Sequence, residues 1–140
     1  MSVLGAKTIV KALPMIEQGT LQPVKQDDSK SNYAKMLSKE MGLIDWNMDA
    51  EVIERYVRGL NSWPSAYTYI GGKQLKIWRA EVVQSEGTPG EVTGVDKKSF
   101  TVACGNKALK LLEIQLEGKK RMDVGAFLLG YKINTGDSLG

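Results

Sequence analysis

Apolar positions recur at two different periods along this chain, and the change of period divides it. Over residues 2–18, Val3, Ala6, Val10 and Leu13 return at helical spacing. Leu4, Ile9 and Ile16 widen that side, while Lys7, Lys11 and Glu17 lie outside it. The pattern predicts an amphipathic helix that Pro14 kinks or splits and Gly19 stops. Periodicity is lost over residues 20–48, where Pro23, Asp27, Asp28 and Ser29 mark extended chain and a turn. It returns over 49–59. There Ala50, Ile53, Val57 and Leu60 form a stripe, Asp49 stands at the N-cap position, and Glu51, Glu54, Arg55 and Arg58 follow the helix dipole.

After Gly59 the period drops to two. The junction, Gly59-Leu60-Asn61-Ser62-Trp63-Pro64-Ser65, holds Gly59 and Asn61, which tolerate left-handed backbone, and Pro64, which extends Trp63. Trp63 is expected to pack into the core and lock the joint. Gly71-Gly72 is a hairpin signal between Tyr67–Ile70 and Gln74–Val83. Within the second of these, Leu75 and Ile77 share one face and Trp78, Ala80 and Val82 the other, which predicts a long, bent strand. Residues 91–95, 99–104 and 108–117 are three more strands, with Ala108, Leu112, Ile114 and Leu116 expected to point inward along the last. Five short strands with these turns predict a mainly β protein with flanking helices: a small OB-like Greek-key barrel preceded by a helical arm and linker.

Composition narrows the chemistry. The chain has no histidine, so no His-dependent triad or His-bearing metal site can be built from it. Its single cysteine, Cys104, excludes an internal disulfide and a clustered-Cys metal site, and fits a reducing compartment. Standing in a strand-like run, Cys104 reads as a buried thiol rather than a nucleophile. No metal ligand set is expected. No apolar run reaches the roughly 20 residues of a membrane span, and no secretory leader is read at the N-terminus. Net charge is +3 and unevenly placed. Residues 1–65 are balanced, while 66–140 hold eleven Lys/Arg against eight Asp/Glu. A polyanion partner is therefore in view.

The junction carries a resemblance. Arg58-Gly59-Leu60-Asn61-Ser62-Trp63-Pro64-Ser65-Ala66-Tyr67 is similar to the Arg-Gly-(Leu/Phe)-Asn-Pro-Trp-Pro-x-Ala-Tyr joint of bacterial methionyl-tRNA formyltransferases, with Ser62 replacing the usual proline. Gln26-Asp27-Asp28, Tyr33-Ala34-Lys35-Met36-Leu37, Ser38-Lys39-Glu40 and Ile44-Asp45-Trp46 resemble the linker motifs of that family, in the same order. Trp46 and Ile44 are expected to pin the linker. Gly118-Lys119-Lys120-Arg121-Met122-Asp123, Phe127-Leu128-Leu129-Gly130 and the closing Gly136-Asp137-Ser138-Leu139 resemble its C-terminal motifs. Asp123 is expected to cap a short helix, with Met122 stapled to Phe127.

The resemblance implies three segments: 1–19, a helix left from an absent catalytic domain; 20–48, a linker; and 49–140, the C-terminal OB-like domain with its leading helix. It implies an enzyme that moves a formyl group from 10-formyltetrahydrofolate, its co-substrate, to initiator Met-tRNA in the cytoplasm. The catalytic residues of that family lie outside the part this chain resembles. The chain alone is therefore expected to bind no cofactor, to catalyse nothing and to orient tRNA. Phosphate contact would fall to Lys119, Lys120 and Arg121, then to Lys76, Lys35, Lys39 and Arg58. A solvated turn at 119–121, solvated linker charges at Lys35 and Lys39, and helix-end stabilisation by Arg58 are the plainer readings of the same residues. Asn61, Trp63 and Pro64 form the structural joint. The orphan apolar face of residues 2–18 is expected to favour self-association. The alternative is an accessory or structural barrel of a related formyltransferase acting on a folate or sugar amine, without RNA contact.

Overall fold

The glycine pair at 71–72 forms the hairpin its sequence signals. Both residues have positive φ (54° and 74°) and join β1 (Ala66–Ile70) to β2 (Lys73–Val83) in an antiparallel ladder. The computed structural model describes residues Met1–Gly140 and contains two compact units, Met1–Lys35 and Met36–Gly140. In the second unit β3 (Val92–Val95), β4 (Phe100–Ala103), β5 (Ala108–Leu116) and β6 (Met122–Asp123) complete a six-stranded sheet. Its hydrogen-bonded order is β1-β2-β5-β4-β3. β6 pairs with β5 at Glu113 and Ile114, beyond the stretch paired to β4.

The sheet is not closed into a barrel, which corrects the expected OB-like architecture. The protein is a mixed α and β fold with an open sheet whose two ends, β1 and β3, share no ladder. The C-terminal segment occupies both edges instead. Gly140 N–H donates to the Tyr69 carbonyl (3.0 Å), Leu139 N–H to Gly90 (2.9 Å) and Val92 N–H to Asp137 (2.8 Å). The Trp46 indole lies beside Gly90 and donates to Thr68 Oγ1 at 3.1 Å. The tail thus satisfies edge groups that a closing strand would otherwise pair, with the Trp46 ring packed beside it.

Bulges set which side chains face inward. The β2–β5 register shifts at Trp78, so the buried Leu75 and Ile77 give way to half-buried Ala80 and Val82. β5 skips Leu112 in the same place. Its buried set is Ala108, Leu109, Leu111, Ile114 and Leu116, and the expected inward Leu112 is only half-buried. Alternation reads one register along a strand, and a bulge restarts it.

α2 (Ala50–Gly59) buries Ala50, Ile53 and Val57 against the sheet, and Leu60 follows just beyond its end. Asp49 is at the N-cap, but its side chain makes no capping bond. Its carbonyl accepts from Val52 and Ile53, and Ala50 N–H reaches Asn106 of the β4–β5 turn. Before α2, a 3-10 turn (Glu40–Gly42) leads to Ile44, whose N–H donates to Tyr67 at 2.8 Å. Ile44 and Trp46 are buried, so this stretch is pinned to the β1 edge. In the first unit, α1 (Ser2–Glu17) runs through Pro14 as one helix. Gly19, at φ 67°, ends it with a bond to the Ile16 carbonyl. None of its residues is buried.

The junction departs from expectation in two ways. The left-handed residue is Ser65 (φ 70°), not Gly59 or Asn61. Ser65 is buried and held by its N–H to Leu60 O and its hydroxyl to Ser62 O, each at 2.9 Å. Trp63 is 56% exposed rather than in the core, while Pro64 is buried and Asn61 exposed. The turn buries Pro64 and Ser65 and turns the large ring outward.

Candidate nucleic-acid interface

The β5–β6 connection carries the basic run. Gly118, at φ 73°, reverses the chain, and Lys119 N–H closes the turn on the Leu116 carbonyl at 2.9 Å. The Gln115 amide donates to Lys119 O at 3.0 Å. Lys119 and Lys120 are exposed and form no ion pair. Lys76 belongs to the same end of the sheet. It is half-buried on β2, opposite Tyr67 on one side and Gln115 on the other. A shallow hollow of about 200 Å³ lined by Gln74, Lys76, Gln115 and Glu117 lies there. So Lys76 and Gly118, the residue before Lys119, line one hollow, although they are distant in sequence.

Arg121 is differently placed. Its guanidinium makes a two-pronged contact with Glu113 (2.6 and 2.7 Å) and lies 4.7 Å from the centre of the Trp78 ring. The hydrogen bond from Arg121 holds the Glu113 carboxyl below the usual carboxylate range. Beside this pair Arg79 faces Asp123 at 3.6 Å. Asp123, at the N-cap position of α3 (Val124–Leu128), makes no side-chain cap bond. Met122 pairs with Ile114 across β5–β6, and Phe127 stacks on Tyr131 at 4.8 Å between ring centres. The Trp78 Nε1–H is buried without a partner. Arg121 thus fastens β6 to β5, and its charge is largely answered within the sheet.

The remaining candidate cations have surroundings of their own. Arg58 is held by Glu54 one helical turn earlier, at 2.8 and 3.2 Å, whereas its neighbour Arg55 has no ion pair. Lys39 is exposed at the start of the 3-10 turn beside β1. Lys35 is exposed and belongs to the first unit. Asn61, Trp63 and Pro64 sit in the α2–β1 connection, away from the basic turn in sequence. Charge alone could not separate engaged arginines from free lysines, because both carry the same letter-level signal.

Other chemistry is sparse. No group of three or more His, Cys, Asp or Glu is placed to hold a metal ion. Cys104 is buried, and burial pushes its thiol up to about 12. Lys107, left-handed at φ 61°, pairs with Glu51 of α2 and tethers helix to sheet. No helix is long and apolar enough to cross a membrane.

Comparison with known proteins gives this surface a context. Residues 36–132 match the family described as "Formyl transferase, C-terminal domain". The whole chain is 53% identical to a methionyl-tRNA formyltransferase of Lachnospira eligens, covering 47% of that protein, and 45% identical to one of Citrifermentans bemidjiense, covering 44%. It thus spans a little under half the length of these relatives. Among solved structures, HypX from Aquifex aeolicus matches 91% of this chain and 24% of its own, with a TM-score of 0.63 at 21% identity. HypX in complex with tetrahydrofolic acid matches at 0.61 and 20%, over 93% of this chain and 26% of its own. At that identity the likeness shows the fold.

Proposed function

The chain belongs to the family of formyl transferase C-terminal domains, and we propose that it serves as the tRNA-orienting part of a methionyl-tRNA formyltransferase. In this reading a separate catalytic domain takes the formyl group from 10-formyltetrahydrofolate and passes it to the amine of initiator Met-tRNA. The present chain, cytoplasmic with the rest of the enzyme, catalyses nothing alone and binds no cofactor. It holds the RNA backbone. The segments 1–19, 20–48 and 49–140 act as arm, linker and tRNA-orienting domain.

The observation that carries the reading is the whole-chain identity to proteins of that name. The exposed Lys119 and Lys120, which form no ion pair, and Lys76 on the β2 strand supply the chemistry. Lysines position a phosphate backbone without reading sequence, so binding is weak, mainly electrostatic and salt-dependent. Lys35 and Lys39 are further candidates for phosphate contact, each within its own unit, and Arg58 and Arg121 contribute less because Glu54 and Glu113 already answer them. The joint at Asn61, Trp63 and Pro64 sets the path of the chain into the sheet.

A second reading rests on a specific observation. The fold recurs in HypX, one form of which holds tetrahydrofolic acid, and both predicted arginine contacts are internally paired. An accessory domain of a formyltransferase acting on a small molecule would need no RNA contact. Titration with initiator tRNA, against an elongator control at low and moderate salt, separates the two. Salt-sensitive binding to both supports an RNA-orienting domain, and no binding even at low salt favours the accessory role.

The uncovered apolar residues of α1 support a further expectation, that residues 2–18 associate with a second copy. Sedimentation that is independent of concentration would remove it.

A further inference from the structure

A second cationic surface lies in a groove of about 390 Å³ between the β3–β4 turn and the segment after α3. Lys97 lines it from the turn and Lys132 from the segment, with Val95, Leu128, Tyr131 and Ile133 forming apolar walls. The two lysines stand far apart in the chain, and the adjacent Lys98 reads alone as a turn residue.

The one carboxylate in the groove, Asp96, forms no ion pair with either of them. Asp96 Oδ1 accepts from the N–H groups of Lys98 (2.7 Å) and Ser99 (2.8 Å). Its Oδ2 accepts from the Ser99 hydroxyl (2.6 Å) and lies 3.5 Å from Lys110 Nζ on β5. The Ser99 hydroxyl first, with these N–H bonds and Lys110, holds its carboxyl at about 2. Asp96 is therefore charged but committed to the turn and to a third lysine. Neither Lys97, Lys98 nor Lys132 forms an ion pair.

The walls are also fixed. α3 packs so closely on the turn that a Cβ at Gly125 would lie 3.1 Å from the Lys97 carbonyl and 3.4 Å from Lys98 Cα. Tyr131 is stacked on Phe127, its N–H bonded to the Phe127 carbonyl at 3.0 Å, and Ile133 is buried. Lys132 thus projects from a backbone held on both sides. Two exposed lysines without an ion pair, lining one groove with aromatic and aliphatic side chains, match a ligand that alternates anion and ring.

We propose that the groove between Lys97 and Lys132 is a second RNA-backbone site, taking phosphates on the two lysines and ribose or base against Tyr131 and Leu128. This rests on the RNA-orienting reading above but on different residues. It adds a contact surface at the β3–β4 turn to the one at the β5–β6 turn.

The test is titration of the full chain with an initiator tRNA transcript over a salt series. Lys97→Ala with Lys132→Ala should reduce the slope of log affinity against log salt by roughly 1.4–1.8, the release expected for two phosphate contacts. Lys97→Arg with Lys132→Arg should restore it. Removing the same charge elsewhere, with Lys7→Ala and Lys11→Ala, should leave it nearly unchanged. A slope unmoved by the groove pair, or lowered equally by the α1 pair, overturns the groove alone. No RNA binding by the unsubstituted chain at low salt overturns the function reading, and the groove falls with it. Retained RNA affinity with lost binding to phosphatidylserine vesicles would assign the groove to a lipid surface instead and overturn it.

Discussion

α1 and α2 are both amphipathic by sequence, yet only one of them is a core element. α2 buries Ala50, Ile53 and Val57 under the sheet. α1 presents Val3, Leu4, Ile9, Val10, Leu13 and Ile16 and buries nothing. The spacing of apolar residues specifies a face but not its covering. A face is worth its burial only when something removes it from water, at roughly 25 cal/mol per Å². The same lesson applies to charge. Arg121 and Lys120 are neighbours in sequence, but one is bound within the sheet and the other is free.

The largest contrast should come from truncating the two faces. Ile53→Ala should cost about 2–5 kcal/mol, because it opens a cavity in a packed core. Ile9→Ala, at a residue 52% exposed, should change stability by about 0.5 kcal/mol or less. Urea unfolding curves of the two variants measure this, and equal losses would show that α1 is covered in solution.

The thiol sharpens the core side of the comparison. Burial raises Cys104 to about 12, so it should resist a water-soluble thiol reagent at pH 8 in the native chain and react fully once the sheet is unfolded in urea. Native reactivity approaching the unfolded rate would mean that the sheet opens far more readily than its packing implies.

Among the cations, Arg121→Ala should lower stability by roughly 1 kcal/mol, combining a partly exposed ion pair and a ring contact. Lys119→Ala with Lys120→Ala should leave thermal unfolding nearly unmoved while weakening any RNA binding. An Arg121–Glu113 double-mutant cycle reporting no coupling would contradict the pairing.

The smallest effect is a pH dependence. The Asp96 carboxyl falls from an ordinary 3.8 to about 2 in the folded chain. A depressed folded value means that its contribution is present above about 3.8 and disappears as pH drops through about 2. A carboxyl carbon titration by NMR should place the Asp96 midpoint near 2. Asp96→Asn should flatten that part of the acid-unfolding profile.

Much of the secondary structure was legible because it is local. Gly71-Gly72 needs positive φ on both residues, and the switch after Ile77 announced a bent strand, which the structure shows as a bulge. Leu112 was misplaced because the bulge in β5 is created by pairing with β2, which no period within β5 encodes. Trp63 was misplaced for a related reason. Its size argues for burial, but the turn held by Ser65 sends the ring outward. At the candidate interface, Lys119, Lys120 and Lys76 were visible as charges. The Lys97–Lys132 groove was not, since its lysines line one hollow only when α3 is laid on the β3–β4 turn.

By itself, the sequence determined the α-helices, the hairpin, five of the six strands (all but β6), the absence of histidine chemistry and the family resemblance, because each depends on residue types at short spacing. Tertiary structure alone decided that the sheet stays open, that Trp46 and the C-terminal segment occupy its two end edges, and which cations remain free. Those outcomes depend on competition between distant groups for the same hydrogen bonds and carboxylates. Tyr69, Gly90 and Val92 bond to the tail rather than to one another, and Glu113 holds Arg121 while no carboxylate pairs with Lys132.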